Sequence, residues 1–435
     1  MRSFLCIGLL IGSLCLSSFS FAEDWTRFRG PNGSGAGESK PVPTKWGDAE
    51  NIKWKVDLPG KGSSCPIVIG DQVIVTCYSG FGLDKGKPGE VENLRRHLIC
   101  FDRNSGKPVW EKTLVPTNAE DPYKGYISDH GYASSTPVTD GKKLFVMFGK
   151  SGLYSFDLSG KELWNKNLGT KSDPNKWGSG ASPILYKDMI IINAGIEGHA
   201  IVALKQGNGE EVWRINDETF TGSWSTPIVV DIDGHQELVF SMPGKILGVN
   251  PDSGAQLWSA KSPIDSTVCS SPVQRNGVVF AMGGLGGVAI AIKCGGKGDV
   301  SETHTLWEQP LRSGIDTPII VGDNMYWTAR GAAFCANCET GEMIYKEDLA
   351  AQAAAAPGQR PSPTGDYASP ITVGDSIFMV LRSGKTHVFK AGAKFERIGE
   401  NEFAGDVGPF NATPAVSNGQ LFVRSDSTLY CISSK

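Results

Sequence analysis

The chain has 435 residues and a formal net charge of −4, from 42 Lys and Arg against 46 Asp and Glu. This length allows two or three domains or one large β architecture. A hydrophobic content of 40% is enough for a packed core and excludes general disorder. The acidic balance argues against bulk electrostatic binding to nucleic acid. The 54 glycines, 25 prolines and 11 tryptophans favour many short strands joined by turns.

Residues 1–22 have the pattern of a secretory signal peptide. A basic start precedes an apolar run from Phe4 to Leu16, and small residues precede a cleavage point after Ala22. The run is too short to cross a bilayer, and no later run is long enough to do so. Leucine precedes both Cys6 and Cys15, which disfavours a lipid anchor. The sequence therefore predicts a soluble exported protein, periplasmic or extracellular, with a lead-in segment at 23–50.

A small residue followed by proline recurs at the start of apolar, β-branched runs. Most of these prolines lie 44 to 46 residues apart, and several runs break at a Gly-Asp turn and resume as a second strand. A period in the mid-forties with strands between the prolines is typical of a β-propeller. The prolines are Pro66, Pro137, Pro183, Pro227, Pro272, Pro318, Pro370 and Pro414.

A second landmark lies near the end of each repeat. It reads small-x-polar-x-x-small-Gly-x-x-x-Trp, as at 100–110 and 248–258, and a copy at 388–398 lacks both the glycine in register and the aromatic residue. We interpret it as a third strand, a glycine turn and an outer fourth strand. The aromatic residue is predicted to pack over the small residue of the preceding strand and to wedge neighbouring blades. These predicted wedges are Trp54, Trp110, Trp164, Trp213, Trp258, Trp307 and Tyr345.

The repeat count predicts an all-β protein with eight four-stranded antiparallel blades over residues 51–435. The last repeat ends before an outer strand, and an unused outer-strand sequence begins at Asn51. The N-terminal strand should therefore complete the last blade and close the ring, which removes an open sheet edge. Seven blades is the alternative, if the weak copy at 388–398 is an insertion. Residues 80–96 should widen the first blade, and 350–366 should form a mobile surface loop rather than a lid.

The tryptophan pattern resembles the docking motif of pyrroloquinoline-quinone (PQQ)-type propeller repeats, over essentially residues 50–435. The opening at Trp25 and the later Trp54 resemble the start of secreted proteins with this repeat. The repeat is similar to that of two classes. One is the eight-bladed quinoprotein alcohol dehydrogenases, and the other is the outer-membrane assembly factor B family (BamB-like), which are non-catalytic periplasmic scaffolds. Such a resemblance implies the fold strongly and the function weakly.

Resemblance to the dehydrogenases implies a quinone held between a tryptophan and a disulfide of adjacent cysteines, with calcium bound by Glu, Asn and Asp beside a catalytic Asp. This chain has no Cys-Cys dipeptide, and it is shorter than those enzymes. We identify no matching set of calcium ligands and catalytic Asp in it. We therefore expect no catalytic residue and no cofactor. PQQ with calcium belongs only to the alternative of an oxidoreductase.

The cysteines and histidines fit structural positions. Cys100, Cys335 and Cys431 occupy the repeat position that is small elsewhere, so they are predicted to be core thiols. A zinc or redox function of the Cys335–Cys338 pair is disfavoured, because a second CxxC motif and a helix are both missing. The histidines lack ligand spacing, and 231–234 reads as a β-turn rather than a calcium loop. No metal site is predicted.

The residues just before each proline should ring one mouth of the central channel. They include aromatic and acidic side chains, which together suit a small ligand or a peptide. The alternative is that the tryptophans among them simply pack between blades. The predicted mouth residues are His130, Tyr132, Trp177, Trp224, Asp265, Asp316, Tyr367 and Asn411.

Three functions remain open at this point. The leading prediction is an exported non-catalytic propeller that binds, as a monomer, an envelope or extracellular protein or a small ligand at the channel mouth. The second is a PQQ-dependent alcohol dehydrogenase-like oxidoreductase. The third is a carbohydrate-binding propeller that uses the aromatic residues of the mouth.

Overall fold

A computed structural model describes residues 24–37, 40–47, 50–284, 286–349 and 365–434. The predicted signal peptide lies outside these residues, as does nearly all of the predicted surface loop at 350–366. Within the described part of the chain, no helix has the length and apolar character needed to cross a membrane.

The chain forms eight consecutive antiparallel sheets with four propeller strands each, so the prediction of eight blades is confirmed. Blades 1 and 2 consist of Ile67–Ile69, Gln72–Ser79, Arg95–Asp102 and Pro108–Leu114, then Val138–Thr139, Lys143–Met147, Leu153–Asp157 and Glu162–Lys166. Blades 3 and 4 consist of Ile184–Tyr186, Met189–Ala194, Ala200–Lys205 and Glu211–Asn216, then Ile228–Ile232, His235–Met242, Lys245–Val249 and Gln256–Lys261. Blades 5 and 6 consist of Val273–Arg275, Val278–Gly283, Val288–Lys293 and Thr305–Gln309, then Ile319–Val321, Asn324–Ala329, Ala332–Asn337 and Met343–Asp348. Blades 7 and 8 consist of Ile371–Val373, Ser376–Val380, Thr386–Lys390 and Glu396–Asn401, then Ala415–Ser417, Gln420–Arg424, Thr428–Ser433 and Ile52–Asp57.

The ring closes as the repeat count predicts. Ile52–Asp57, the N-terminal strand, pairs antiparallel with Thr428–Ser433 as the outer strand of blade 8. The weak repeat copy forms a complete blade 7, so the alternative of seven blades is wrong. The innermost strand of each blade follows its proline, where a strand tolerates the missing N–H. Closure joins the two ends of the chain in one sheet and leaves no unpaired blade edge at the junction.

Short helices and two extra strands fill the connections. The helical segments are Val91–Asn93, Ile127–His130, Gly149–Ser151, Gly195–Gly198, Glu218–Phe220 and Ser301–His304. Ala36–Gly37 adds in parallel to the innermost strand of blade 7, and Gly298–Asp299 adds in parallel to the outer strand of blade 4.

Tryptophan docking joins successive blades. Trp110 lies opposite the small residue Cys100 of its own blade, and its ring covers Gly160 in the turn of blade 2. Its Nε1 donates a hydrogen bond to the carbonyl of Leu158 at 2.9 Å. The same arrangement, an outer-strand indole that covers a turn glycine and donates to a carbonyl of the next blade, recurs at Trp54, Trp164, Trp213 and Trp307.

Trp258 departs from this pattern. Its indole lies over Gly248 and donates to the Glu237 carboxylate at 2.7 Å, within its own blade. The reason is the longer turn of blade 5, where Gly298–Asp299 pairs directly with the outer strand of blade 4. Backbone pairing there replaces the indole contact that joins five other pairs of neighbouring blades. Tyr345 also meets no turn glycine, because blade 7 lacks one in register.

The N-terminal lead-in crosses the central channel, which the sequence did not indicate. Trp25 pairs with Val68 of blade 1, and the carbonyl of Thr26 accepts from Thr139 of blade 2. Farther along the segment, Arg29 donates to carbonyls of blade 6, which lies opposite blade 2 in a ring of eight, and Ala36–Gly37 pairs with blade 7. Residues 24–37 therefore run from one side of the ring to the other at the level of the innermost strands.

Arg29 anchors this crossing. Its guanidinium is almost fully buried and donates to the carbonyls of Thr317 at 2.9 Å and Pro318 at 2.7 Å in blade 6. It also donates within the segment to Ser34 at 2.7 Å. Burial lowers the pKa of Arg29 to about 9, so the side chain stays cationic at neutral pH.

Candidate ligand pocket in the central channel

A closed ring of hydrogen bonds surrounds the channel. In each blade, the backbone N–H of the residue before the proline donates to the side chain of the equivalent residue in the next blade, at 2.9–3.1 Å for the seven hydroxyl acceptors. The eighth bond closes the ring, from the N–H of Thr413 to Sγ of Cys65 at 3.2 Å. This hydroxyl ring consists of Cys65, Thr136, Ser182, Thr226, Ser271, Thr317, Ser369 and Thr413. The small residue before each proline is thus an acceptor that joins two blades.

The hydroxyl ring encloses a cavity of about 250 Å³, the channel pocket, and all eight ring residues line it. Phe28 of the N-terminal crossing also lines it. Because the crossing spans the channel at the level of the innermost strands, it forms the floor of the pocket. The channel is therefore a cup rather than a pore.

One wall of the channel pocket is aromatic. The rings of Tyr126 and Trp177 lie 4.5 Å apart edge to face, and those of Trp177 and Trp224 lie 5.7 Å apart and tilted by 32°. Nε1 of Trp224 donates to the carbonyl of Gly178 at 2.7 Å, which fixes the indole. All three rings line the pocket, and both tryptophans are half-buried. They form a continuous apolar face of a kind that stacks on flat ligands.

His130 lies at the edge of this wall. Its Nε2 is 2.8 Å from the carbonyl of Trp177, and its Nδ1 is 2.6 Å from the hydroxyl of Ser134. A carbonyl can only accept, so Nε2 carries the proton and Nδ1 accepts from Ser134. Burial lowers the pKa of His130, which favours this neutral form. The imidazole therefore positions Trp177 and has no free nitrogen for a ligand.

The opposite side of the channel pocket is polar. Asn411 donates to the carbonyl of Asp129 at 2.7 Å, while its Oδ1 is buried and has no hydrogen-bond partner. Oγ of Ser313 is buried and unpartnered in the same way. The guanidinium of Arg382 lies 4.8 Å from the ring centre of Tyr367, another lining residue. A ligand with hydroxyl groups would find both donors and acceptors on this side.

Asp316 is a buried carboxylate next to the pocket. It occupies the second position before the proline, which is Ser or Ala in every other blade. Its Oδ2 accepts from the N–H of Thr328 at 2.8 Å and from the Thr328 hydroxyl at 3.1 Å, whereas its Oδ1 has no partner. Burial raises the pKa of Asp316 to about 7, and the nearby carboxylate of Asp366 adds to the effect. The pocket thus has a group beside it that titrates near neutral pH.

The predicted mouth residues divide into three groups. His130, Trp177, Trp224, Tyr367 and Asn411 all line the channel pocket. Asp316 is buried, and its sequence neighbours Ile315 and Thr317 line the pocket. Tyr132 and Asp265 lie elsewhere: Tyr132 donates to the carbonyl of Asp121 inside an aromatic cluster with Tyr78 and Phe81, and Asp265 is exposed to solvent.

Tyr132 lies away from the pocket because of the inserted segment in blade 1. Residues 80–94 fold over the loop before blade 2, and Tyr132 fills the space beneath them. Sequence position alone could not predict that His130 lines the pocket and that Tyr132 does not.

The cysteines occupy core positions. Cys100, Cys335 and Cys431 are fully buried, and the eight described cysteines are all unpaired. Burial raises the pKa of Cys335 to about 11 and that of Cys338 to about 12, so both thiols stay protonated at neutral pH. Across the described ranges, no cluster of three or more His, Cys, Asp or Glu side chains is arranged to hold a metal ion.

Two parts of the site were not found by reasoning from the sequence. Phe28 lies in the N-terminal lead-in, far in sequence from the repeats that surround it. The hydroxyl ring did leave a signal, because seven of the eight small residues before proline are Ser or Thr. A requirement for small size alone would also admit Ala and Gly, so this restriction indicates a hydrogen bond.

Comparison with solved structures supports the architecture. The fold is similar to BamB from Moraxella catarrhalis, with a TM-score of 0.61 and 16% identity over 88% of this chain and 97% of that chain. It is equally similar to a europium-containing methanol dehydrogenase, with a TM-score of 0.61 and 11% identity over 94% of this chain and 98% of that chain. At these identities the likeness concerns the fold alone. A comparison with curated protein sequences gives no match.

The family comparison goes further than the fold. The sequence model of the family described as outer membrane protein assembly factor BamB matches residues 94–347, from the third strand of blade 1 to the outer strand of blade 6. This match spans more than half of the chain and includes the docking tryptophans of four blades. With its eight blades and PQQ-like repeats, the chain belongs to the BamB family of β-propellers.

Proposed function

We propose that this protein is an exported, non-catalytic propeller of the cell envelope that binds a ligand in the channel pocket, and that the ligand is a carbohydrate. The observation that carries the proposal is the combination of an aromatic wall with unpartnered polar atoms in one cavity of about 250 Å³. Sugars present apolar C–H faces and hydroxyl groups, which match these two sides. A pocket of this kind, largely apolar with a few fixed polar groups, is typical of small-ligand sites.

The test is binding to an array of neutral oligosaccharides by the wild type and by Trp224→Ala and Trp224→Phe. The alanine variant should lose binding at least 10-fold, because it removes one face of the aromatic wall. The phenylalanine variant should retain part of it, since a ring remains. Thermal unfolding of both variants checks that they fold. Equal glycan binding by all three proteins, or no binding by the wild type, would contradict the proposal.

A protein-binding scaffold is the second candidate, and family membership is the observation that favours it. The family description names an assembly factor for outer membrane proteins. A partner protein could use the surface outside the channel, where Val109, Val115 and Val407 are exposed. Cross-linking in envelope fractions should then capture a partner equally well with wild type and Trp224→Ala. Capture that depends on Trp224 would place the partner at the channel pocket instead.

The channel residues do not fit a quinone site with calcium. Calcium takes six to eight oxygen ligands, and near the pocket Asp316 and Asp366 already accept hydrogen bonds from Thr328, Arg382 and Gly331. The thiol of Cys65 lines the pocket, but it accepts from Thr413 within the hydroxyl ring. We therefore assign no step to a quinone. Alcohol oxidation on addition of PQQ, calcium and an artificial electron acceptor would overturn this assignment.

A further inference from the structure

A second groove lies between blades 5 and 6, beside the channel pocket. Its volume is about 230 Å³, and it shares Ser313 and Arg330 with the channel pocket, so the two are continuous. We call it the basic groove, because three cationic side chains line it: Arg312, Arg330 and Lys346.

Among the described residues, these three cations are not paired with an acid. None of them forms a salt bridge in the described part of the chain, and all three are exposed. Asp348 is the one carboxylate among the described residues that line the groove. A local excess of positive charge in a chain with a net charge of −4 produces a field that attracts anions.

Packing holds the groove in shape. Trp327 is fully buried, and its Nε1 donates to the carbonyl of Arg312 at 2.6 Å. The same indole stacks on Phe334, with ring centres 5.3 Å apart, and the ammonium of Lys346 lies 5.8 Å from the centre of Phe334. The buried indole thus holds the backbone at Arg312, and the ammonium of Lys346 lies near the ring that stacks on this indole.

The backbone conformation of two turns also shapes the groove. Arg330 has a φ of 52° in the hairpin turn between the second and third strands of blade 6, a conformation that costs a residue with a side chain some strain. Gly287, with a φ of 67°, leaves no room for a Cβ, which would lie 2.8 Å from the Cα of Arg312. The turn of blade 5 therefore packs against the connection to blade 6 at Arg312, and Arg330 lines the groove from the turn of blade 6.

We propose that the basic groove binds a tetrahedral oxyanion group, a sulfate or a phosphate, carried by a ligand whose remainder lies in the channel pocket. Arginine pairs readily with such groups through two parallel N–H donors, and lysine adds a point charge. Three cations suit the several oxygens of a tetrahedral group better than the two of a carboxylate. The unpartnered hydroxyl of Ser313 lies at the junction of the two cavities. The groove's affinity for an anion does not depend on the proposed carbohydrate site, which concerns only the rest of the ligand.

The first test uses inorganic sulfate and inorganic phosphate as probes, at constant ionic strength against chloride. Binding to the folded state should raise the thermal midpoint in a saturable way. The double variant Arg312→Ala/Lys346→Ala should bind each anion at least 10-fold more weakly. The control is Lys166→Ala, which removes an exposed lysine without a salt bridge from the outer strand of blade 2, across the ring, and should behave as wild type. Equal shifts in wild type and the double variant would show a general salt effect and overturn the proposal.

A second set of single variants tests the same site in case the double variant folds poorly. Lys346→Met keeps the alkyl stem over Phe334 and removes only the charge, and Lys346→Glu reverses it. Anion affinity should fall in the order wild type, Lys346→Met, Lys346→Glu. Equal anion affinity in the three proteins would contradict the assignment of the groove as an anion site.

The last test distinguishes the two sources of the anion and separates this proposal from the previous one. Calorimetric titration compares glucose 6-sulfate, glucose 6-phosphate and glucose. Tighter binding of either ester than of glucose supports the groove, and the better ester identifies the group. Esters that bind no better than glucose overturn it. If inorganic anions bind in the groove while Trp224→Ala leaves glycan binding unchanged, the carbohydrate proposal fails and the oxyanion site stands.

Discussion

Asp316 replaces a small residue of the repeat with a buried acid. Its folded-state pKa of about 7 lies above the ordinary value of 3.8. The folded state therefore binds its proton more tightly than the unfolded state, and this contribution to stability is present below about pH 4 and is lost as the pH rises through 7.

We expect Asp316→Asn to remove this pH dependence. The amide keeps an acceptor for Thr328 and carries no charge, so the variant should match the wild type near pH 4 and exceed its unfolding free energy by about 1–3 kcal/mol at pH 8. Urea unfolding between pH 4 and 8 measures the difference. Asp265→Asn, at an exposed position, should leave the profile unchanged. A constant difference between Asp316→Asn and wild type across this range would show that Asp316 does not titrate there.

Thr226 shows what a hydroxyl contributes to the ring around the channel. Its Oγ1 accepts from the N–H of Ser182 at 3.1 Å, and both residues are buried. Thr226→Val has nearly the same shape but leaves that N–H without an acceptor, which should cost about 1–3 kcal/mol of unfolding free energy. Thr226→Ser keeps the hydroxyl and should cost clearly less. Chemical denaturation compares them, and equal losses would mean that size rather than hydrogen bonding matters at this position.

At the scale of elements, a glycine turn and an outer-strand tryptophan join neighbouring blades. Gly160 has a φ of 80°, and a Cβ there would lie 2.7 Å from the ring of Trp110. Gly277 has a similar φ of 75° but open space around it. Alanine substitutions at Gly160 and Gly277 therefore separate the cost of backbone strain from the loss of the docking contact.

Gly160→Ala should therefore destabilise the protein more than Gly277→Ala does. Both substitutions place a side chain in the left-handed region at a cost of about 1 kcal/mol. Only Gly160→Ala also displaces the indole, which should add about 1–3 kcal/mol. Thermal unfolding gives both values, and near-ultraviolet circular dichroism should change for Gly160→Ala alone. Equal losses in the two variants would argue against docking as a source of stability between blades.

At the scale of the whole molecule, the N-terminal crossing ties opposite sides of the ring together. Thr26 accepts from Thr139 of blade 2, and Arg29 donates to Thr317 of blade 6, which lies opposite blade 2 in a ring of eight. Arg29→Met would leave several buried carbonyls without donors, and we expect a loss of about 3 kcal/mol or more.

Arg27→Met is the matched control for this change. Arg27 lies in the same segment and is also buried, but its Nε donates to the nearby carbonyl of Gly30. Hydrogen exchange of the peptide containing residues 24–37 should accelerate strongly in Arg29→Met and less in Arg27→Met. Unchanged exchange in Arg29→Met would show that strand pairing alone holds the crossing in place.

Much of the fold was predictable because the repeat is local. Proline at a strand start, a glycine turn and an aromatic residue four positions later recur within each sequence repeat, so their spacing alone yields eight blades and the closing strand at Ile52–Asp57. The site was predictable in part for the same reason. His130, Trp177, Trp224, Tyr367 and Asn411 occupy equivalent connections that a ring must bring to one mouth.

The features that the sequence did not predict depend on contacts between segments that are distant in sequence. Phe28 and Arg29 enter the channel because the lead-in crosses the ring, and nothing in the repeat encodes that path. The basic groove forms where turns of blades 5 and 6 meet, so Arg312, Arg330 and Lys346 converge although none belongs to a motif. The sequence by itself determined the repeating hydrogen-bonded blades, since their pattern depends on near neighbours. Only the tertiary structure decided which charges and rings face one another, because that depends on how the closed ring positions its loops.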